Sequence, residues 1–292
     1  MVRELVRRGW SVRGVDLEPC PSGWQPEDVR RVFRGESLFW ERYDLTVHCA
    51  YHVGGRRAID GNPLLLALNL ELDAQMFDWA VRTGQRVLYF SSSAAYPVRL
   101  QTREWVSAHG EHRLCEGDIN LGQWSKTGDW SPDARYGWAK LTGEYLALSA
   151  GEHIPVHVVR PFSGYGVDQD LCYPFPAILD RARRWEPGDG GFVVWGPSGQ
   201  TRDWIHISDV VRGALAVVEA DERRPVNLCT GVGTEFGDLA RMVLRAMGKH
   251  AGIWNDPSKP TGVMHRVGDP ARMLELYRPQ VLLEDVVREA TR

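Results

Sequence analysis

Tyr136 and Lys140 stand four residues apart in "YGWAK", and upstream of them "YFSSSAAYP" carries three adjacent serines, Ser91, Ser92 and Ser93. On a helix, that spacing stacks tyrosine and lysine on one face, one turn apart. A lysine ammonium beside a tyrosine favours the phenolate. A phenol that ordinarily titrates near pH ~10 can then act as acid or base closer to neutrality. A serine at the end of a neighbouring strand could hydrogen-bond the same oxygen. Such a trio suits proton transfer to and from an alcohol or sugar hydroxyl while hydride moves to a nicotinamide ring. Tyrosine and lysine also fall at this spacing by chance on helix surfaces, so the surrounding elements must decide.

The elements alternate. "VRELVRRG" puts Val2, Leu5 and Val6 on one helical face, with Gly9 as a stop. "SVRGVDL" predicts a strand ending near Asp16, and the Pro-, Trp- and charge-rich residues 17–43 an irregular stretch. "DLTVHCAYHVGG" predicts a strand running into a glycine loop, and residues 64–83 a helix stopped by Gly84. "RVLYFSSS" is a buried strand, residues 97–133 are loop-like, and "ARYGWAKLTGEYLALSAG" is a long helix. "VHVVRPFSGYG" is a strand and loop, "GFVVWG" a short strand, and "HISDVVRGALAVVEA" a helix with Ser208 as N-cap. "VNLCTG" is a strand and turn, while "EFGDLARMVLRAMG" and "LEDVVREA" are helices. This order predicts a doubly wound, parallel α/β sheet with a smaller C-terminal α/β lobe packed closely on it. The expected division is a dinucleotide-binding part at 1–165 and about 200–222, with a substrate lobe at 166–199 and 223–292.

Composition excludes other classes. The 292 residues are 43% hydrophobic and 25% charged, enough for one large domain or two modest ones. A net charge of −3 gives no reason to expect nucleic acid or an anionic membrane as partner. The longest apolar run, "PLLLALNL", is too short to span a bilayer, and no signal peptide precedes it, so the expected location is cytoplasmic. Cys20, Cys49, Cys115, Cys172 and Cys229 are scattered and show no metal-ligand spacing; reduced thiols, mostly in the core, are expected.

Seven landmarks occur in one order: "VRGVDL", "DLTVHCA", "YFSSSAAYP", "YGWAKLTGE", "VVRPFSGYG", "WGPSGQTRDWIHISDVV" and "NLCTG". In these the chain resembles the NAD-dependent epimerase/dehydratase group of extended short-chain dehydrogenases/reductases. The resemblance implies a Rossmann-type domain binding NAD, a C-terminal lobe binding a nucleotide-sugar, and a homodimer through two helices flanking the sheet. It makes Ser92, Tyr136 and Lys140 the catalytic set, because the family's Ser/Thr lies four residues before the tyrosine of the following turn, here Tyr96. Ser91 and Ser93 are the structural alternatives. Asp16 matches the acid that bonds the adenosine ribose and favours NAD over NADP. Ala50 and Pro161, with Tyr136 and Lys140, become cofactor contacts. Ser93, Ser163 and Arg202 become substrate contacts, Arg202 gripping the diphosphate. A surface pair with Asp203 is the plain alternative for Arg202, and His206 reads as a packing or supporting histidine.

Departures from the family narrow the reaction. Dehydratases resemble one another in an Asp-Glu pair where Ser93 and Ala94 stand, decarboxylating members in a glutamate at Ala94, and 3,5-epimerising members in a cysteine there. After the "YG" turn the chain offers Asp168 rather than a base, although "KPTGVMHRVGD" is similar to that last subgroup. What remains needs only the trio and a nicotinamide: 4-epimerisation first, then reduction or oxidation of a nucleoside-diphosphate sugar at C4. The family also carries a first strand and a G-x-x-G-x-x-G turn ahead of "VRELVRRG". The expectation is a start placed some ~15–20 residues late. The alternatives are a truncated form that binds NAD poorly, a strand supplied by another chain, and a non-catalytic nucleotide-sugar-binding or scaffold protein.

Overall fold

The computed structural model describes residues 1–18, 26–37, 42–54, 61, 64–110, 112–121, 131–259 and 261–291. In chain order the strands are β1 (Thr46–His48), β2 (Val87–Phe90), β3 (Val156–Pro161), β4 (Ser163–Tyr165), β5 (Phe192–Trp195), β6 (Thr201–His206), β7 (Val226–Leu228), β8 (Gly233–Glu235), β9 (Ile253–Asp256) and β10 (His265–Arg266). The helices are α1 (Val2–Arg7), α2 (Val29–Phe33), α3 (Leu65–Thr83), α4 (Arg103–His109), α5 (Ala134–Ala150), α6 (Pro174–Arg184), α7 (Ile207–Glu219), α8 (Phe236–Ala246), α9 (Ala271–Leu274) and α10 (Leu283–Ala290).

The main sheet has the order β1-β2-β3-β7 and is parallel throughout. "VLYF" is apolar along its whole length because both faces of β2 are covered. Tyr89 packs with Met76, Phe77 and Trp79 of α3 and Ala147 of α5. Leu88 faces the other way, with Val210, Ala214 and Val217 of α7. This is the expected doubly wound fold. A second sheet, β10-β6-β4 with β8 antiparallel to β6, and a ribbon of β5 and β9 surround a second core around Phe175, Trp204 and Leu239. β7, which the expected boundary at 223 assigned to that lobe, is the fourth strand of the main sheet. No helix among the described residues is long and apolar enough to cross a membrane.

Several expectations need correction. Residues 11–16 form no strand, and β1 is an edge of the sheet among the described residues. Val12 and Val15 still reach the core, so the apolar pattern was real while the ladder partner was not local. Val6 is exposed; of the α1 stripe, Leu5 alone is buried. Helix α2 interrupts the stretch expected to be irregular, its N-terminus capped by Asp28. Within 97–133, α4 follows a Thr102 cap; residues 122–130, with Trp124 and Trp130, lie outside the described residues. The N-cap of α7 is His206, whose ring accepts from the Ser208 N–H. Among the cysteines, Cys229 is buried, Cys115 half-buried, and Cys49 and Cys172 are exposed, so the thiols are not mostly core; Cys20 lies outside the described residues.

Candidate active site

β2 ends at Phe90, and Ser92 is extended, capping a short 3-10 turn over Ser93–Ala95 by accepting from the Ala94 N–H at 3.1 Å. The same hydroxyl lies near enough to the Tyr136 phenol to oppose the effect of burial on it. Two backbone features fix this meeting. The Asp133 N–H donates to the Ala94 carbonyl at 2.9 Å. Gly137 lets the turn lie against α5, where an added Cβ would run into the Ala94 carbonyl and come within 3.0 Å of Pro132 Cβ. Lys140, one turn further on, is buried and donates to the Phe90 carbonyl at 2.7 Å. Its Nζ lies 3.3 Å from the centre of the Tyr51 ring and 5.9 Å from that of Tyr136. Tyr51 in turn stands edge-on to Tyr136, ring centres 6.0 Å apart.

The electrostatics differ from the expectation. Burial dominates Tyr136 and pushes its phenol up to about 12, against the Ser92 hydrogen bond and the charge of Arg266. Burial also draws Lys140 down to about 8, opposed by Asp73, Cys49 and Glu144. The ammonium is directed at the Phe90 carbonyl and the Tyr51 ring. Burial thus favours the phenol form of Tyr136, against the phenolate that an adjacent ammonium would favour.

Of the alternative serines, Ser91 is committed elsewhere: its hydroxyl donates to Glu144. Glu144 pairs with fully buried Arg160 at 2.6 Å, Arg160 donates to the Tyr96 hydroxyl at 3.1 Å, and Tyr96 donates to Asn227 at 2.7 Å. Ser93 is buried within the turn. Ala50 follows β1, Pro161 closes β3, and Ser163 opens β4, each half-buried. Asp16 is exposed, its carboxylate accepting the local Glu18 N–H at 3.2 Å. Arg202, on β6, lies over the Phe236 ring at 5.2 Å. It forms no pair with Asp203, since neighbours on a strand face opposite sides. Asp203 is fully buried and accepts from Thr230 N (2.8 Å), Thr230 Oγ1 (2.7 Å), Gly231 N (2.8 Å) and Gly268 N (3.3 Å). His206 caps α7 and packs on Tyr165, as a supporting histidine would.

The roles of Asp73, Glu144, Arg160 and Asn227 were not singled out from sequence. The available signal was a charge inside an apolar element, such as Arg160 in "VVRP".

This donor set fits a nicotinamide dinucleotide. Two hydroxyls and a buried ammonium converge beside the carboxyl ends of β1, β2 and β3, where ligands bind in doubly wound sheets. Asp16 is an exposed carboxylate suited to ribose hydroxyls.

Fold and site together give a doubly wound α/β domain with Ser92, Tyr136 and Lys140 gathered at the carboxyl ends of its strands. The profile of the "NAD dependent epimerase/dehydratase family" matches residues 1–229, and the chain belongs to that NAD-dependent family. A dTDP-4-dehydro-6-deoxy-D-allose reductase from Streptomyces bikiniensis is 30% identical over 274 residues, 89% of this chain and 77% of the relative. A GDP-L-fucose synthase from Sinorhizobium fredii is 24% identical over 283 residues, 94% of this chain and 86% of the relative. The UDP-glucose 4-epimerase of Thermus thermophilus, solved with NAD, superposes with a TM-score of 0.74 at 19% identity, covering 99% of this chain and 93% of that one. That last likeness shows the fold.

Proposed function

We propose that the protein reduces the C4 keto group of a nucleoside-diphosphate 4-keto-hexose, with NADH as reductant. The observation that carries this is the Tyr136 hydroxyl, set beside Ser92 and favoured as a phenol by burial. Reduction needs a proton donor at the carbonyl oxygen, and a phenol is one; oxidation-first chemistry would need a base instead. Ala94 brings no second acid or base beside it. When bound, the reduced nicotinamide supplies hydride to the carbonyl carbon. Ser92 orients the phenol and hydrogen-bonds the reacting oxygen, and Tyr136 delivers its proton there. Lys140 holds positive charge near the phenolate that forms. Asp16 holds the ribose, Ala50 and Pro161 border the nicotinamide, and Ser93, Ser163 and Arg202 face the sugar and its diphosphate. The name of the 30% identical relative, a keto-sugar reductase, supports this order of preference. The 4-epimerisation expected from sequence uses the same trio and stands second.

The test is loss of NADH fluorescence with dTDP-, GDP- and UDP-linked 4-keto-6-deoxyhexoses, run beside NAD with the corresponding hexoses. Turnover of a keto-sugar is expected. NADH binding without turnover of any of them would sink the proposal, and an epimer from a hexose would replace it with the second. Tyr136→Phe should slow turnover by roughly 10²–10⁴-fold.

We also propose a homodimer through the outer faces of α3 and α5, where Tyr145 and Leu148 are 50% and 59% exposed. Leu148→Asp should shift the sedimentation coefficient to that of a monomer.

A further inference from the structure

Asp73 is fully buried on α3, and the proton-transfer scheme gives it no part. Its carboxylate accepts from the Tyr89 hydroxyl at 2.8 Å and the Tyr51 hydroxyl at 3.4 Å, and it faces His48 Nε2 at 3.0 Å. A carboxylate only accepts, so Nε2 carries the proton of that contact. Tyr51 is the link outward. Its hydroxyl meets Asp73, its ring face lies 3.3 Å from the Lys140 ammonium, and its ring stands edge-on to Tyr136. The Tyr89 ring lies 5.2 Å from the same ammonium. Asp73, Tyr51, Lys140 and Tyr136 thus form one continuous line of contacts.

We propose that Asp73, acting through Tyr51, is the positioning residue that keeps buried Lys140 an ammonium. The consequence for catalysis, an alkaline edge of activity set by Asp73, rests on the proposed hydride chemistry.

A lysine this deeply buried loses its proton readily unless a negative charge faces it. Three acidic groups do. Glu144, one turn along α5, is already neutralised by Arg160 and bonded by Ser91. Cys49, beyond β1, has its thiol raised by desolvation although the residue as a whole is exposed, so it stays neutral near pH 7. That leaves Asp73, whose partners are the His48 imidazole and two phenols rather than an arginine. The groups facing Asp73 from β1, the segment after it, and β2 are His48, Tyr51 and Tyr89, and burial pushes both phenols far up, keeping them neutral donors. A phenol that donates to a carboxylate also has a more electron-rich ring, which strengthens its attraction for a cation. Gly143 sets the approach of α5 to α3: a Cβ there would meet the Tyr89 hydroxyl and stand 2.5 Å from Asp73 Oδ2.

The chain has four lysines, Lys126, Lys140, Lys249 and Lys259, so lysine-labelled NMR resolves Lys140 individually. The experiment titrates the lysines of the full chain in wild type, Asp73→Asn and Tyr51→Phe. The Lys140 midpoint is expected to fall by about one pH unit or more in Asp73→Asn, and by less in Tyr51→Phe, which keeps the ring and loses the link. The alkaline limb of kcat should move with it. An unmoved Lys140 midpoint overturns the proposal, whatever happens to activity. Should Asp73→Asn fail to fold, Tyr51→Phe decides alone by the same criterion. Titration is read without substrate, so a shifted midpoint with no NADH turnover upholds Asp73 and overturns the proposed reduction instead.

Discussion

Burial acts on Tyr136 and Lys140 in opposite directions, raising the phenol to about 12 and lowering the ammonium to about 8. Below pH about 8 the pair is a phenol beside an ammonium, the form that can donate a proton to a developing alkoxide. Keto-sugar reduction should therefore run on a plateau at neutral pH and fall as pH rises through about 8, which a pH–rate profile checks. The same depression carries a stability statement. Lys140 binds its proton less tightly in the folded chain than in the unfolded one, where it titrates near 10.5. The cost of the buried charge is thus fully present below about 8 and is relieved as pH rises toward 10.5. Lys140→Met should abolish turnover yet stabilise the fold at pH 7. The gain should be about 1–2 kcal/mol, since removing the charge outweighs the lost bond to the Phe90 carbonyl. Thermal melts at pH 7 and pH 10 check it: the advantage should shrink at the higher pH.

At the scale of elements, the site depends on how closely α5 crosses α3, and Gly143 is where they touch. Gly143→Ala places a methyl against two buried groups that cannot swing away, the Tyr89 hydroxyl and the Asp73 carboxylate. It should destabilise by about 2–3 kcal/mol, seen as a lower urea midpoint with an unchanged slope. Both helices and the strand between them were legible in the sequence, because an apolar stripe or an apolar run is a local signal. Elements whose evidence lies elsewhere were not. Residues 11–16 have a strand's apolar pattern, but a strand exists only with a partner. Helix α6, which begins with Pro174 and Pro176, was assigned no element from sequence, although proline is tolerated in a helix's first turn. Helix α4 buries no residue and so carries no stripe. Tyr136 and Lys140 could be singled out because they stand four residues apart, whereas Ser92, far upstream, came only with the family resemblance. Asp73, Glu144 and Arg160 could not, because each owes its role to partners tens of residues away.

At the scale of the whole molecule, the C-terminal stretch reaches back to α5, the helix of Tyr136 and Lys140. Arg266, on β10, donates to Gln101 at 2.6 Å and to Asp133 at 2.9 Å, with the ion-paired side chains only 10% and 14% exposed. Asp133 precedes α5, and Ala134 follows with φ of 56°, a left-handed conformation that costs an L-residue roughly 1–2 kcal/mol. The Arg266 pair and the Asp133–Ala94 backbone bond hold that strained entry, two residues before Tyr136. The guanidinium also draws the Tyr136 phenol down against burial. Arg266 therefore has a structural part and an electrostatic part, and two variants separate them. Arg266→Met takes the guanidinium away from the nearly buried Asp133 carboxylate, which should cost about 3 kcal/mol of stability and also lower kcat. Adding Asp133→Asn removes that buried negative charge and should restore most of the stability. It cannot restore the field on Tyr136, so kcat should stay low. Recovery of both in the double variant, measured by melting and by NADH turnover, would mean that Arg266 only braces the helix.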